Sequence, residues 1–103
     1  MSAIRNSSTG DEIAAEIGAR LRLKRMDRNL TTEELAKRAG VGRNAIGDLE
    51  GGKDVRVSTL VKVMRALSMV SNLEAAFPDT LPTSAALNQR GQVRERARKP
   101  KEK

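Results

Sequence analysis

Three polar side chains and a glycine near the middle of the chain have the types and spacing needed to contact the edges of DNA bases. Arg43, Asn44, Gly47 and Asp48 share one side of a predicted helix over residues 43–50, whose opposite side is apolar. Arginine can donate two hydrogen bonds to guanine, asparagine can pair with adenine, and a carboxylate can accept from the cytosine amino group. In a second interpretation, Asp48 orients Arg43 one helical turn earlier instead of contacting a base.

A helix that reads bases must be held at a fixed tilt, and the preceding residues predict a second short helix that does so. Thr31 and Glu34 have the spacing of a capping box, in which the side chain of each residue accepts a hydrogen bond from the backbone of the other. Gly40 marks the end of this helix, because glycine adopts a left-handed conformation without a Cβ penalty. A tight turn then leads into the helix over residues 43–50.

Apolar residues in register predict how these two helices pack together. Ala36 supplies the small side chain that two steeply crossing helices need at their contact. Val41, Ile46 and Leu49 supply the aliphatic side chains that hold the second helix down. This is the pattern of a DNA-binding helix-turn-helix, whose second helix enters the major groove. The alternative interpretation is an ordinary helical hairpin inside a small bundle.

Five residues around these helices are candidate contacts to DNA phosphates. They are Thr31, Thr32, Lys37, Lys53 and Arg56. The two threonines begin a helix, where backbone amides and the helix dipole favour anions. Each of the three basic residues has an alternative interpretation as a solvated surface charge.

The composition excludes several classes of protein. The 103 residues suffice for one domain, and they include neither cysteine nor histidine. Without them there is no disulfide, no thiol nucleophile, no usual metal ligand and no usual general base. The carboxylates lie on predicted solvated faces and no glycine-rich phosphate loop is present, so we expect no enzyme, no cofactor and no metal. No apolar run approaches the ~20 residues that span a bilayer, and no secretory segment begins the chain, so we expect a cytoplasmic protein without membrane contact.

The net charge of +7 is concentrated at the end of the chain. Residues 90–103 carry +5 and leave only +2 for the rest. The basic residues that define this tail are Arg90, Arg94, Arg96, Arg98 and Lys99. We predict a linker and a disordered basic tail over residues 79–103, which either lies on DNA or an acidic partner or serves only to keep the chain soluble.

The remaining helices are predicted from apolar spacing. Residues 1–10 show no period and predict a flexible N-terminal arm, whereas the domain over residues 11–78 begins with a helix that ends near Arg28. Ser58 is predicted to cap a fourth helix over residues 59–67.

A short fifth helix over residues 71–77 precedes Pro78. This helix and the residues just before it contain more apolar side chains than a small monomer usually needs to cover its core. These candidate dimer-interface residues are Met69, Val70, Leu73 and Phe77. In the alternative interpretation they simply close the core.

The order of these features resembles the Xre/Cro-type helix-turn-helix domain of phage and bacterial repressors. The matching stretches are Ile17–Arg22, Leu30–Ala36, Ala39–Lys53 and Leu60–Leu67. The resemblance implies an all-α, five-helix, lambda-repressor-like fold and a homodimer that binds an inverted-repeat operator through helix 43–50. A sequence-specific transcriptional regulator that represses its own operon is therefore expected.

Two glycines depart from that family pattern. Gly42 stands where the family often has Ser or Thr, and Gly47 stands where a side chain often reads a base.

The C-terminal part, with its Pro-Asp-Thr-Leu-Pro linker and its basic end, resembles HipB-like antitoxins. That resemblance implies an alternative function, an antitoxin that also neutralises a kinase-like protein toxin. A non-specific nucleic-acid binder driven by the tail is a third possibility.

Overall fold

A computed structural model describes residues 3–79 of the chain. These residues form five α-helices and one 3₁₀ turn, joined by short loops. In chain order they are α1 (Gly10–Asp27), α2 (Thr32–Ala39), α3 (Arg43–Glu50), α4 (Val57–Ala66), the 3₁₀ turn Val70–Asn72 and α5 (Leu73–Ala76). These residues contain no strand, which confirms the predicted all-α, five-helix fold. None of these helices has the length and apolar character needed to cross a bilayer. The predictions for the basic tail, Arg90 to Lys99, fall outside the described residues.

The first helix begins with a capping box. The Thr9 hydroxyl accepts from the Glu12 amide at 3.0 Å, and the Glu12 carboxylate accepts from the Thr9 amide at 2.7 Å. Before it, the Ser8 amide donates to the Arg5 carbonyl at 3.0 Å, which makes a turn. Helix α1 therefore starts at Gly10, one residue before the predicted start. After the helix, Asn29 takes the left-handed conformation (φ 55°) that lets the chain reverse toward α2.

Both ends of α2 form as the sequence predicts. The Thr31 hydroxyl accepts from the Glu34 amide at 3.1 Å, and the Glu34 carboxylate accepts from the Thr31 amide at 2.9 Å. The hydrogen bond from the Thr31 amide to the Glu34 carboxylate, with a smaller contribution from the Thr31 hydroxyl, lowers the pKa of Glu34, because it favours the charged form. Gly40 ends the helix with φ 72°. The capping box and the left-handed glycine are thus confirmed.

Helix α4 corrects one prediction. It begins at Val57 with Arg56 in the capping position, and Ser58 already lies inside its first turn. The Leu60 amide donates to the Arg56 carbonyl at 3.1 Å, so helical hydrogen bonding starts from Arg56 without a side-chain cap. A capping side chain is preferred at a helix start but is not required, and α4 begins two residues earlier than predicted without one.

The region after α4 is also less regular than predicted. Instead of one helix over residues 71–77, the chain forms the 3₁₀ turn and then the single turn α5, which ends at Ala76. Phe77 leaves the helical conformation (φ −130°, ψ 64°) because the following residue is Pro78, and proline disfavours an α conformation in the residue before it.

The core lies where α1, α2, α3 and α4 meet. Its buried apolar residues are Leu21, Leu30, Leu35, Ala36, Ile46, Leu49, Val63, Met64 and Leu67. Four of them, one from α2, one from α3, one from α4 and one just after it, are under 2% exposed: Leu35, Ile46, Val63 and Leu67. Because α3 contributes both Ile46 and Leu49 to this core, its apolar side is fixed and its other side is left at the surface.

Candidate nucleic-acid interface

The structure brings all four candidate base-reading residues to one surface. Arg43, Asn44 and Gly47 are exposed on α3, Asp48 is half-exposed, and Thr32 of α2 lies beside them. Together these five residues line a shallow concavity of about 320 Å³. The polar side of α3 is therefore open to solvent, with the start of α2 at its edge.

Arg43 carries an ion pair that the sequence did not predict. Its Nη1 donates to Oε1 of Glu33 at 2.7 Å, and the two side chains are 65% and 69% exposed. This contact crosses from α3 to the first turn of α2. Helical spacing cannot predict this ion pair, because the two residues lie on different helices and the turn between the helices brings them together.

Asp48 lies near Lys53 and not near Arg43, the partner that the sequence suggested for it. Its Oδ1 lies 3.8 Å from Nζ of Lys53, just beyond the end of α3. The ionic partner of Arg43 is Glu33, so the interpretation in which Asp48 orients Arg43 finds no support in the side-chain positions. Lys53, a candidate phosphate contact, therefore lies beside Asp48 at the polar side of α3.

One of the five candidate phosphate residues lines the concavity. Thr32 lies within it, whereas the backbone amide of Thr31 already donates to Glu34. The exposed Lys37 lies in the last turn of α2, and the exposed Arg56 occupies the capping position before α4. At the start of α3, Gly42 provides no side-chain cap, as its departure from the family pattern predicts.

A buried ion pair holds the C-terminal end of α3. Nε of Arg25 lies 2.7 Å from Oε2 of Glu50, and its Nη2 donates to Oε1 at 3.0 Å. A third hydrogen bond runs from Nη1 to the Leu30 carbonyl at 2.8 Å. This bidentate geometry ties α1, the loop before α2 and α3 together. The Glu50 carboxylate also raises the pKa of Arg25, so the guanidinium stays charged.

Sequence reasoning missed this pair, although both residues lie in segments that it had assigned. Arg25 reads as one of several basic residues at the end of α1, and Glu50 reads as the last polar residue of α3. A clue was available in Glu50, a carboxylate that directly follows the buried Leu49 at the end of the helix. Its partner is 25 positions away and cannot be identified from local spacing.

Two glycines allow α1 to lie directly against the end of α3. A Cβ atom on Gly18 would lie 2.4 Å from the Leu49 carbonyl oxygen and 2.7 Å from that of Glu50. Gly52 has φ 77°, and a Cβ there would lie 2.8 Å from the Cα of Ala15. Because real Cβ atoms do not approach so closely, this contact requires glycine at both positions. The tilt of α3 is thus set by backbone contact at one end and by apolar packing beneath.

The last turn of the domain leaves apolar surface uncovered. Phe77 is 76% exposed, while Met69, Val70 and Leu73 are half-buried against the core. Phe77, Leu73 and Met69 line an apolar groove of about 370 Å³ that also includes Ile4. Three of the four candidate dimer residues thus help to close the core, and Phe77 remains at the surface. In the described residues, no three acidic side chains gather where they could hold a metal ion.

A family model described as a helix-turn-helix domain matches residues 16–77, more than half of the chain. The match runs from within α1 to the end of α5 and includes both α2 and α3. The chain belongs to the helix-turn-helix domain family. This assignment agrees with the packing of α2 against α3 and with the exposed polar side of α3.

A named relative is similar to part of this chain. It is a protein of Sinorhizobium fredii named as the uncharacterized HTH-type transcriptional regulator y4mF. The two chains are 43% identical over 54 residues, which are 52% of this chain and 71% of the relative.

Proposed function

We propose that this chain is a sequence-specific DNA-binding transcriptional regulator that acts as a homodimeric repressor of its own operon. The observation that carries the proposal is the exposed polar side of α3, held at a fixed tilt by its buried Ile46 and Leu49. Membership of the helix-turn-helix family and the name of the Sinorhizobium fredii relative support the part of the proposal that concerns a DNA-binding transcriptional regulator.

In this proposal, α3 lies in the major groove and its polar side chains contact base edges. Arg43 donates to O6 and N7 of guanine, Asn44 pairs with N6 and N7 of adenine, and Asp48 accepts from a cytosine amino group. Gly47 lies between them without a side chain. The half-buried Thr32, at the edge of the concavity, contacts a phosphate and fixes the register of α3 on the duplex.

The remaining candidate phosphate residues are assigned supporting contacts in this proposal. Thr31 contacts phosphate through its hydroxyl, because its amide is used by Glu34. Lys37, Lys53 and Arg56 provide positive charges that attract any duplex without reading its sequence. Base contacts therefore determine which site is bound, and phosphate contacts determine most of the salt dependence.

The exposed Phe77 and the half-buried residues beside it form the proposed dimer interface. A second copy that covers this patch brings two α3 helices about 34 Å apart, one turn of duplex, so the operator is an inverted repeat. Replacing Phe77 with Asp should shift the protein from dimer to monomer in analytical ultracentrifugation. Leu23→Asp is the matched control, because Leu23 is an exposed apolar residue on α1, outside the patch. Equal dissociation of both variants, or of neither, contradicts this interface.

A footprint over the DNA upstream of the chain's own gene tests the proposed function. The wild-type protein should protect an inverted repeat, and Asn44→Ala should weaken that protection by ~1–3 kcal/mol while relaxing the preference at one base pair of each half-site. Asn6→Ala is the control, since it removes the same group from an exposed residue far from α3 in the sequence. Protection that extends equally over random duplex at moderate salt would instead favour a non-specific nucleic-acid binder.

A second candidate function is that of an antitoxin, which would repress its operon and also neutralise a kinase-like toxin of a HipB-like pair. It is favoured by the exposed Phe77, which a protein partner could cover, and by the +5 charge of residues 90–103. A neighbouring reading frame that encodes a kinase-like protein, and co-purification of that protein with this chain, would decide for the antitoxin. A neighbour without such a protein would leave the simple repressor.

A further inference from the structure

Glu33 lies at an unexpected place for a carboxylate in a surface that faces DNA. It is 69% exposed in the first turn of α2, next to Thr32 and across from the first residue of α3. A duplex seated on the concavity would bring its phosphates near this negative charge. A carboxylate there weakens binding to any duplex, unless it contributes something else.

The carboxylate of Glu33 holds the side chain of Arg43. Among residues 3–79, Glu33 provides the only hydrogen bond to the Arg43 guanidinium, through Nη1 at 2.7 Å. Nε and Nη2 are left to donate to another group. Arginine has many rotamers of similar energy, so a partner that selects one of them reduces the entropy lost when DNA binds.

The same contact restrains Arg43 from a competing role. A free arginine at the start of α3 could turn toward the nearest phosphate, which every duplex offers at the same place. Held by Glu33, its guanidinium stays over the concavity, where a guanine edge can reach it. Specificity is a difference of affinities, and disfavouring the phosphate-bound arrangement increases that difference.

We propose that Glu33 is a specificity-determining residue, which positions Arg43 for a base edge and disfavours its contact with phosphate. This inference rests on the proposed function, because it requires that α3 reads a duplex. It makes Glu33 a positioning residue that acts through Arg43.

The test is a selection from a library of random duplexes, followed by sequencing, with the full-length wild type, Arg43→Ala, Glu33→Gln and the double variant. The base pair whose preference is lost in Arg43→Ala is the one that Arg43 reads. Glu33→Gln should lower the preference at that same pair by roughly twofold to fivefold, the range for an exposed ion pair, and should leave the other positions unchanged. In the double variant, the Glu33 substitution should have no further effect on preference.

Two further measurements separate positioning from a general effect on charge or folding. Glu33→Gln should bind random duplex more tightly, with a salt slope steeper by about one phosphate contact, and should unfold at the wild-type temperature. Asp11→Asn is the control for the charge change, since Asp11 is an exposed carboxylate in the first turn of α1. It should leave the base preference unchanged.

Three results would overturn the proposal. They are an unchanged preference at the Arg43 position in Glu33→Gln, an equal loss of preference at every position, and weaker binding of random duplex. A wild-type protein that selects no sequence at all would instead contradict the proposed function itself, and with it this inference.

Discussion

Replacing Arg25 with Met should destabilise the domain strongly although the residue is far from the proposed DNA contacts. Arg25 and Glu50 are only 12% and 10% exposed, and three hydrogen bonds of 2.7 to 3.0 Å depend on the guanidinium. Met preserves much of the side-chain length, but it leaves the Glu50 carboxylate and the Leu30 carbonyl without this partner. An unpaired buried charge costs about 3–5 kcal/mol, and the residual exposure places this pair near the lower end, at about 3 kcal/mol.

That loss is a large part of the stability expected for a small domain, about 5–15 kcal/mol. Urea unfolding followed by far-UV circular dichroism measures it directly. The double variant Arg25→Met/Glu50→Met should recover much of the stability, because no unpaired charge then remains. The exposed pair of Glu33 and Arg43 serves as the control, and Glu33→Gln should cost less than about 1 kcal/mol. A single variant within about 1 kcal/mol of the wild type, or a double variant less stable than Arg25→Met, would refute the role assigned to this pair.

Three other predictions concern the tilt of α3, the basic tail and the response to acid. Gly18→Ala should lower the free energy of unfolding in urea by about 1–3 kcal/mol and should also weaken DNA binding, because the added Cβ would displace the end of α3. Gly10→Ala is the control and should do neither, because a Cβ at Gly10 would meet no atom within 4 Å. Deleting residues 90–103 should weaken binding to all duplexes alike and reduce the salt slope by about 0.9 for each phosphate that the tail neutralises, and an unchanged slope would show that the tail does not lie on DNA. Folding lowers the pKa of Glu34 below its ordinary value of 4.5, so the charged carboxylate stabilises the fold at pH values above 4.5 and this stabilisation is lost as the pH falls further. Glu34→Gln should therefore flatten the decrease in melting temperature between about pH 5 and pH 3. An equally steep decrease would contradict this.

Local features of the sequence predicted the helix-turn-helix with its ends. The capping box of Thr31 and Glu34 and the left-handed Gly40 each act within a few residues, and the structure confirms them. Apolar spacing also identified Ile46 and Leu49 as the buried side of α3, since a helix repeats its faces at a fixed period.

What sequence reasoning could not predict depends on contacts between distant segments. The Arg25–Glu50 pair joins residues 25 positions apart, and the approach of Gly18 to Leu49 exists only once α1 is packed on α3. The start of α4 is a local exception: it was assigned to Ser58 from its capping preference, but the helix begins at Val57 without a side-chain cap. The ion pair of Glu33 belongs to the same group, because the turn between α2 and α3 creates it.

The central claim, that the exposed side of α3 and the start of α2 receive a duplex, is tested most directly by nuclear magnetic resonance. A duplex selected by the wild-type protein is titrated into the full-length, ¹⁵N-labelled chain, and the shifts of the backbone amides are mapped. The account predicts that the largest changes fall on residues 31–33 and 42–48, with those of Asn44→Ala reduced at the same duplex concentration. Unchanged amides in these two segments, together with large changes around Phe77 or along α1, would contradict it.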